Sequence, residues 1–371
     1  MKNIPFFNYP ALFEQRENEY LEVVHDVLKR GAYIMQSELF DFEIQLADHL
    51  SVKHAIGVAD GTMALLISLK AAGVGAGDEV IVPSHTFVAS AAAISHTGAT
   101  PVLVECGQDH LIDSVSVQSA ITEKTKAIMP VQLNGRVANM DPILAIAKKY
   151  GLLIVEDSCQ ALGAKFNNRY AGTFGVAGTF SFFPAKTLGC FGDGGGIITD
   201  DSEIADKVKL IRDHGRCPID GKAKLYGFNG RLDNLHAAIL GFKLKYYDED
   251  IARRRSLALI YQECLEGLDT LLLPPAPNSD PRHFDVFQNY EIEAVNRDAL
   301  RKFLEKNGVG TILQWGGYAL HQFPDLGLNN DLPYTEAMTK KFMLLPMHPM
   351  LKDEDVLHIC GLIEQFYENN C

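Results

Sequence analysis

Between His54 and Asp157 short apolar runs alternate with helix-like stretches, and few folds accept that pattern. HAIGV (54–58), EVIVP (79–83), TPVLVE (100–105), AIMPVQ (127–132) and LLIVED (152–157) read as strands. Between them, the segment from Met63, FVASAAAISHTG (87–98) and DPILAIAKKYG (141–151) read as helices, the last two closed by Gly98 and Gly151. Strands that are apolar throughout are buried on both faces, so the alternation predicts a mainly parallel sheet covered by helices on either side. Such sheets bind ligands beyond the carboxyl ends of their strands. Pro83–Phe87, Gln132–Gly135 and Asp157–Gln160 are therefore expected around one mouth.

One lysine belongs to that expectation. Lys186 sits in TFSFFPAKTLGCFGDGGG (179–196), between bulky apolar residues and a glycine cluster. A lysine at a strand end can snorkel to water with no chemical role. Here Ser181 precedes it by five residues, and Gly192, Gly194, Gly195 and Gly196 let backbone approach a ligand closely. A desolvated lysine gives up its proton readily, and a neutral amine condenses with an aldehyde. Asp157 closes an apolar strand where a buried carboxylate needs a cationic or protonated partner, the alternative being a cap for the residues after it. Asp60-Gly61-Thr62 forms a tight turn before a helix, a place for an anion such as phosphate or simply a helix cap. Phe87, just past a strand, is either a core aromatic or a ring that stacks on a flat ligand.

Composition removes other function classes. With 371 residues, 47% hydrophobic and 22% charged, the chain can bury a large core. A formal net charge of -13 argues against a nucleic-acid surface, which needs clustered Lys and Arg. The seven cysteines show neither CxxC pairs nor regular spacing, so reduced thiols are expected, without a zinc ribbon or a disulfide framework. No signal peptide or membrane-length apolar run is read, which points to a soluble, cytoplasmic protein. GVGAGDE (73–79) and GDGGGI (192–197) lack the third glycine of a dinucleotide fingerprint, and the histidines are scattered along the chain, so no metal site is expected.

EDSCQALGA (156–164), FSFFPAKTLGCFGDGGGIITDD (180–201), IRDHG (211–215) and GFNGRLDNLHAAIL (227–240) together resemble the DegT/DnrJ/EryC1/StrS sugar aminotransferases, a fold type I pyridoxal-phosphate family. The resemblance implies that Lys186 bonds pyridoxal phosphate and that Asp157 partners its ring nitrogen. It places Gln160 near the ring hydroxyl, Gly61, Thr62 and Ser181 at the phosphate, and Phe87 against the ring. It also implies that Asn229 reaches the phosphate of a neighbouring subunit, hence a homodimer with the active site at its interface. The turn chemistry of Gly227–Gly230 alone reads Asn229 as a turn residue. Arg231 is a candidate for gripping a carboxylate or phosphate, or else a salt bridge to Asp233 or a nearby helix. The implied activity is transamination, since the related sugar dehydratases carry histidine where this chain has Lys186. The donor is expected to be L-glutamate, and the acceptor a nucleotide-linked keto-deoxysugar. An acceptor with a free sugar carbonyl, such as an 8-oxo-3-deoxyoctulosonic acid, and a cofactor-binding regulatory or scaffold protein without turnover are the alternatives.

Beyond Asp248 a long helix, a Pro-rich break, a strand and two further helices follow. They predict a large domain over 1–248 and a smaller C-terminal α+β domain over 249–371. Two segments depart from the family pattern where substrate would be read: QLNGR (132–136) and TILQWGGYALHQF (311–323). Trp315 and His321 are accordingly expected to line the sugar pocket, with core or interface packing the alternative for the tryptophan.

Overall fold

The structure is a computed structural model and describes residues 2–328 and 330–369. Its centre is a seven-stranded sheet: β1 (His54–Val58), β2 (Glu79–Pro83), β3 (Thr100–Val104), β4 (Thr125–Ile128), β5 (Leu153–Asp157), β6 (Ala177–Ser181) and β7 (Gly195–Thr199). The spatial order is β1-β7-β6-β5-β4-β2-β3. Only β7 runs against the rest; β3, β2, β4, β5 and β6 pair in parallel, and β1 is antiparallel to β7. Because β7 is reversed, its first residue lies at the edge where the other strands end, which carries Gly195 up against Asp60. A Cβ on Gly195 would stand 2.3 Å from the Asp60 carbonyl oxygen, so only glycine fits.

Helix Gly61–Ala71 is apolar on nearly every side because sheet and helices enclose it, with Ala64, Leu65, Ile67 and Leu69 all buried. The spacing of Leu39, Phe42, Ile44 and Leu46 predicts a helix from Ser37 to Leu50, and helix Ser37–Leu50 falls there. In the sequence, Leu12, Leu21, Val24 and Leu28 recur at helical spacing and predict one helix from Ala11 to a stop at Gly31, but the structure has two, Tyr9–Glu14 and Glu17–Arg30. Arg16 leaves helical geometry at the break and lays its guanidinium 3.4 Å from the centre of the Tyr246 ring. The apolar face read there also differs. Tyr20 and Val27 turn inward, whereas Leu21, Leu28 and, on the next helix, Ile44 are 51%, 48% and 60% exposed.

After helix Tyr247–Leu265 the chain adds a three-stranded antiparallel sheet of Leu271–Leu272, Tyr290–Ala294 and Phe342–Leu345, backed by helix Asp353–Glu368. Its buried cluster, including Leu257, Tyr261, Ile292, Leu345 and Ile359, is separate from the one under the large sheet. Ile4 joins this second cluster through a parallel bridge to Val309, so the start of the chain packs on its C-terminal part. Among the described residues no helix is long and apolar enough to cross a membrane. Cys106, Cys159, Cys190, Cys217, Cys264 and Cys360 are free thiols; Cys371 lies outside the described residues.

Candidate active site

The carboxyl ends of β2, β4, β5 and β6 open into one cleft of about 660 Å³, a volume suited to a cofactor with a small substrate. Lys186, Asp157, Gly61, Thr62, Phe87, Gln160, Ser181 and Trp315 all line it. Gly61 and Trp315, 254 positions apart in the chain, therefore line one cleft.

Lys186 lies in the turn after β6, its amide donating to Phe183 O at 2.8 Å. Burial pushes its pKa below that of an ordinary lysine, opposed by Cys159 and Asp157. The Cys159 thiol stays protonated, because burial and the Asp157 charge push its pKa well up. A neutral thiol offers the lysine no ion pair and burial outweighs the pull of the Asp157 charge, so the neutral amine is more accessible than in a free lysine. Asp157, 6% exposed, ends β5 with both oxygens engaged: Ser90 Oγ donates to Oδ2 at 2.7 Å and Cys159 N to Oδ1 at 3.2 Å. The second contact is the local cap read from the sequence, and it coexists with an aim into the cleft.

Opposite these groups, Asp60 caps helix Gly61–Ala71 by accepting from Met63 N at 2.8 Å. Gly61 sits so close to Ser181 that a Cβ would stand 2.9 Å from the serine Cβ. That approach brings the helix N-terminus and the Ser181 hydroxyl to one anion-sized corner. Phe87 is 52% exposed and presents its ring to the cleft, which excludes the core alternative. An acid at one end, an amine beside it, an anion corner and an exposed aromatic face together fit a pyridoxal phosphate.

The far wall is made of amides, and the sequence singled out few of them. Gln160 Oε1 accepts from Asn134 N at 2.9 Å and from Asn289 Nδ2 at 3.3 Å. Asn134 Oδ1 accepts from Gln314 Nε2 at 2.7 Å and from Asn289 Nδ2 at 2.9 Å. Gln314 Nε2 also donates to Glu291 Oε2 at 2.8 Å. Gln288, buried, braces the lysine turn from both sides: its Oε1 accepts from Thr187 N and its Nε2 donates to Ala185 O, each at 2.7 Å. QLNGR (132–136), EDSCQALGA (156–164), VFQNYEIEA (286–294) and TILQWGGYALHQF (311–323) contain these residues, but amides have no spacing signature that would mark them.

Three expected residues lie off the cleft. Arg231 pairs with Asp213 at 2.6 Å, a bridge to the end of a neighbouring helix and not to Asp233. His321 Nδ1 and Ser84 Oγ are 2.8 Å apart, and burial lowers the imidazole's pKa. Asn229 is exposed, bridged to Asp213 at the base of an arm on which Ile219 and Tyr226 face solvent. Among the described residues lining the cleft, Lys186 is the only Lys or Arg, against Asp60, Asp157 and Asp193.

Residues 14–364 match the DegT/DnrJ/EryC1/StrS aminotransferase family. A "Pleiotropic regulatory protein" of Geobacillus stearothermophilus is 40% identical, over 99% of each chain. The dTDP-3-amino-3,4,6-trideoxy-alpha-D-glucose transaminase of Streptomyces venezuelae is 37% identical, over 98% of this chain and 96% of its own. The crystal structure of S. venezuelae DesV in complex with a ketimine intermediate superposes with a TM-score of 0.95 at 36% identity, covering 99% of both chains.

Proposed function

The chain belongs to the DegT/DnrJ/EryC1/StrS aminotransferase family, and from that premise we propose that it moves an amino group from L-glutamate to the carbonyl of a nucleotide-linked keto-deoxysugar. It is a pyridoxal-phosphate-dependent sugar aminotransferase of the α/β, fold type I class. The observation that carries the reading is the meeting of Lys186 and Asp157 in one cleft under the exposed Phe87 ring.

When bound, the cofactor supplies an electron sink in its pyridine ring. The side chains do the rest. Lys186 Nζ is the amine that would hold the cofactor and, once released, move a proton between substrate carbon and cofactor carbon; its lowered pKa keeps it competent as a base nearer neutral pH. Asp157, fixed at both oxygens, would keep the ring nitrogen protonated. Phe87 would cover one ring face and Gln160 would stand by the ring hydroxyl. Gly61, Thr62 and Ser181 would receive the phosphate. Gln288 holds the lysine turn in place through Ala185 and Thr187.

A lining with three carboxylates and one amine is poorly suited to a phosphate and a dicarboxylate donor together. This supports a homodimer in which the partner subunit's exposed arm, which carries Lys222 and Lys224, completes the site, with the partner subunit's Asn229, itself neutral, donating to the phosphate. The outward Leu21, Leu28 and Ile44 are consistent with a covered face. Separate buried clusters support a division near residue 248, with the segment around Ile4 joining the smaller unit. The free thiols fit a cytoplasmic setting.

The test is a two-step spectroscopic assay. L-glutamate should discharge the visible absorbance of the loaded enzyme, and the right nucleotide-linked keto-sugar should restore it. Discharge by glutamate with restoration only by free sugars would overturn the carrier; no discharge at all would overturn the donor.

A further inference from the structure

The histidines scattered along the chain are not scattered in space. His85, just after β2, His110, in the loop after β3, and Glu291, in strand Tyr290–Ala294, bring one donor atom each within 4.8 Å of one another, and all three are buried. The set lies behind the amide wall and takes no part in the chemistry proposed above. His110 Nδ1 and Glu291 Oε1 are 2.7 Å apart. His85 Nε2 is 3.5 Å from the same oxygen, yet neither of its ring nitrogens makes a hydrogen bond although the side chain is fully buried. Its ring is instead packed against Trp315 and Phe342, with centroids 5.0 and 4.9 Å away. Leaving a buried polar atom without a hydrogen bond costs about 1–3 kcal/mol, so an imidazole fixed there, with one nitrogen at ion-pair distance from a carboxylate but hydrogen-bonded to nothing, calls for a ligand.

From this juxtaposition we propose that His85, His110 and Glu291 form a binding site for a divalent first-row transition ion of the Zn²⁺ class. Two imidazole nitrogens and one carboxylate oxygen suit such ions and not Mg²⁺ or Ca²⁺, which take oxygen shells. Ligand bonds of about 2.0–2.2 Å put tetrahedral donors roughly 3.4 Å apart, which the cluster reaches with side-chain shifts of about 1 Å. The outer contacts are already in place. His110 Nε2 is 3.1 Å from Glu293 Oε1, the carboxylate support that fixes a ligating imidazole's tautomer, and Gln314 holds the other oxygen of Glu291. A second cleft, of about 300 Å³, reaches His110 and Glu291 and gives an ion its way in. Asn134 Nδ2, now 2.9 Å from Glu291 Oε1, would give up that contact or share it. The ion would balance Glu291 and Glu293 in place of a proton and lock Glu291, hence Gln314, behind the substrate wall.

The test is metal content and affinity of the untagged, cofactor-loaded protein. Dialysed against Zn²⁺ and then buffer, it should retain one ion per chain by elemental analysis, and Co²⁺ should give ligand-field bands in the visible beyond the cofactor's own absorbance. His85→Phe keeps the ring packed against Trp315 and Phe342 while removing both nitrogens; it should lose stoichiometric Zn²⁺ and the Co²⁺ bands with its circular dichroism unchanged. Glu293→Gln should weaken affinity about 10–100-fold. A wild-type protein that retains no Zn²⁺ and gives no Co²⁺ bands would overturn the site, as would undiminished binding by His85→Phe. Neither readout depends on transamination.

Discussion

The two walls of the cleft were assembled by different means. The cofactor wall comes from short contiguous segments: Asp157 and Gln160 follow β5, Ser181 and Lys186 follow β6, and Gly61 and Thr62 open one helix. The substrate wall comes from positions far apart in the chain, Asn134, Asn289 and Gln314, joined mainly by hydrogen bonds between side chains and braced from behind by Glu291. The first wall carries groups whose chemistry is unusual for their location, a lysine and an acid at apolar strand ends. The second carries neutral amides, which elsewhere on a protein mean nothing in particular. On the proposed function one wall sets the reaction and the other what enters it, so substitutions should divide the same way.

Replacing the lysine separates them most strongly. Lys186→Ala should lower turnover by at least about 10²–10⁴-fold, measured in both half-reactions, because proton transfer at both carbons is lost. An equal loss from an amide-wall variant would erase the distinction. Next comes Gln288→Ala, which touches no reacting atom but unpairs Ala185 O and Thr187 N beside the lysine. We expect kcat to fall by up to about 10²-fold through misplacement of the amine, and stability to fall by about 1–3 kcal/mol in urea denaturation. Smaller is Gln314→Ala: losing one polar contact of about 1–1.5 kcal/mol should raise KM for the keto-sugar roughly tenfold and leave the glutamate half-reaction unchanged. A change in the glutamate step instead would move Gln314 to the cofactor side.

The subtlest expectation concerns pH. Burial lowers the Lys186 pKa from 10.5, so the neutral amine becomes available at lower pH than for a free lysine. Cofactor capture by the apoprotein should therefore rise with pH to a midpoint below 10.5, followed by stopped-flow absorbance. The sign follows from which form is disfavoured: desolvation penalises the ammonium, so protonation on the acid side of the midpoint slows capture.

Much of the fold was legible because strand period and helix period are local properties. β1, β2 and β5 and helix Ser37–Leu50 follow their apolar runs, and the strand-end rule located the mouth. What failed depends on partners distant in sequence. Leu21 and Leu28 have helical spacing, but which face of that helix turns inward was decided by the packing that buries Tyr20 and Val27. The break at Arg16 depends on the ring of Tyr246, 230 positions away. In the site, Lys186 and Asp157 were readable from their flanks. Gln288 was not, since its role lies in gripping a turn about a hundred residues earlier. For Arg231 the sequence left an anion clamp and a salt bridge to Asp233 or a nearby helix equally open, and choosing Asp213 required knowing where the preceding helix ends.

The central claim is that the amine at position 186 is the one that carries the cofactor. The direct measurement is borohydride reduction of the pyridoxal-phosphate-loaded protein, followed by digestion and mass spectrometry of the peptides. The account predicts the reduced cofactor's mass on the peptide containing Lys186 and nowhere else, and no fixed label in Lys186→Ala. Stoichiometric label on a different lysine, with Lys186 unmodified, would contradict it.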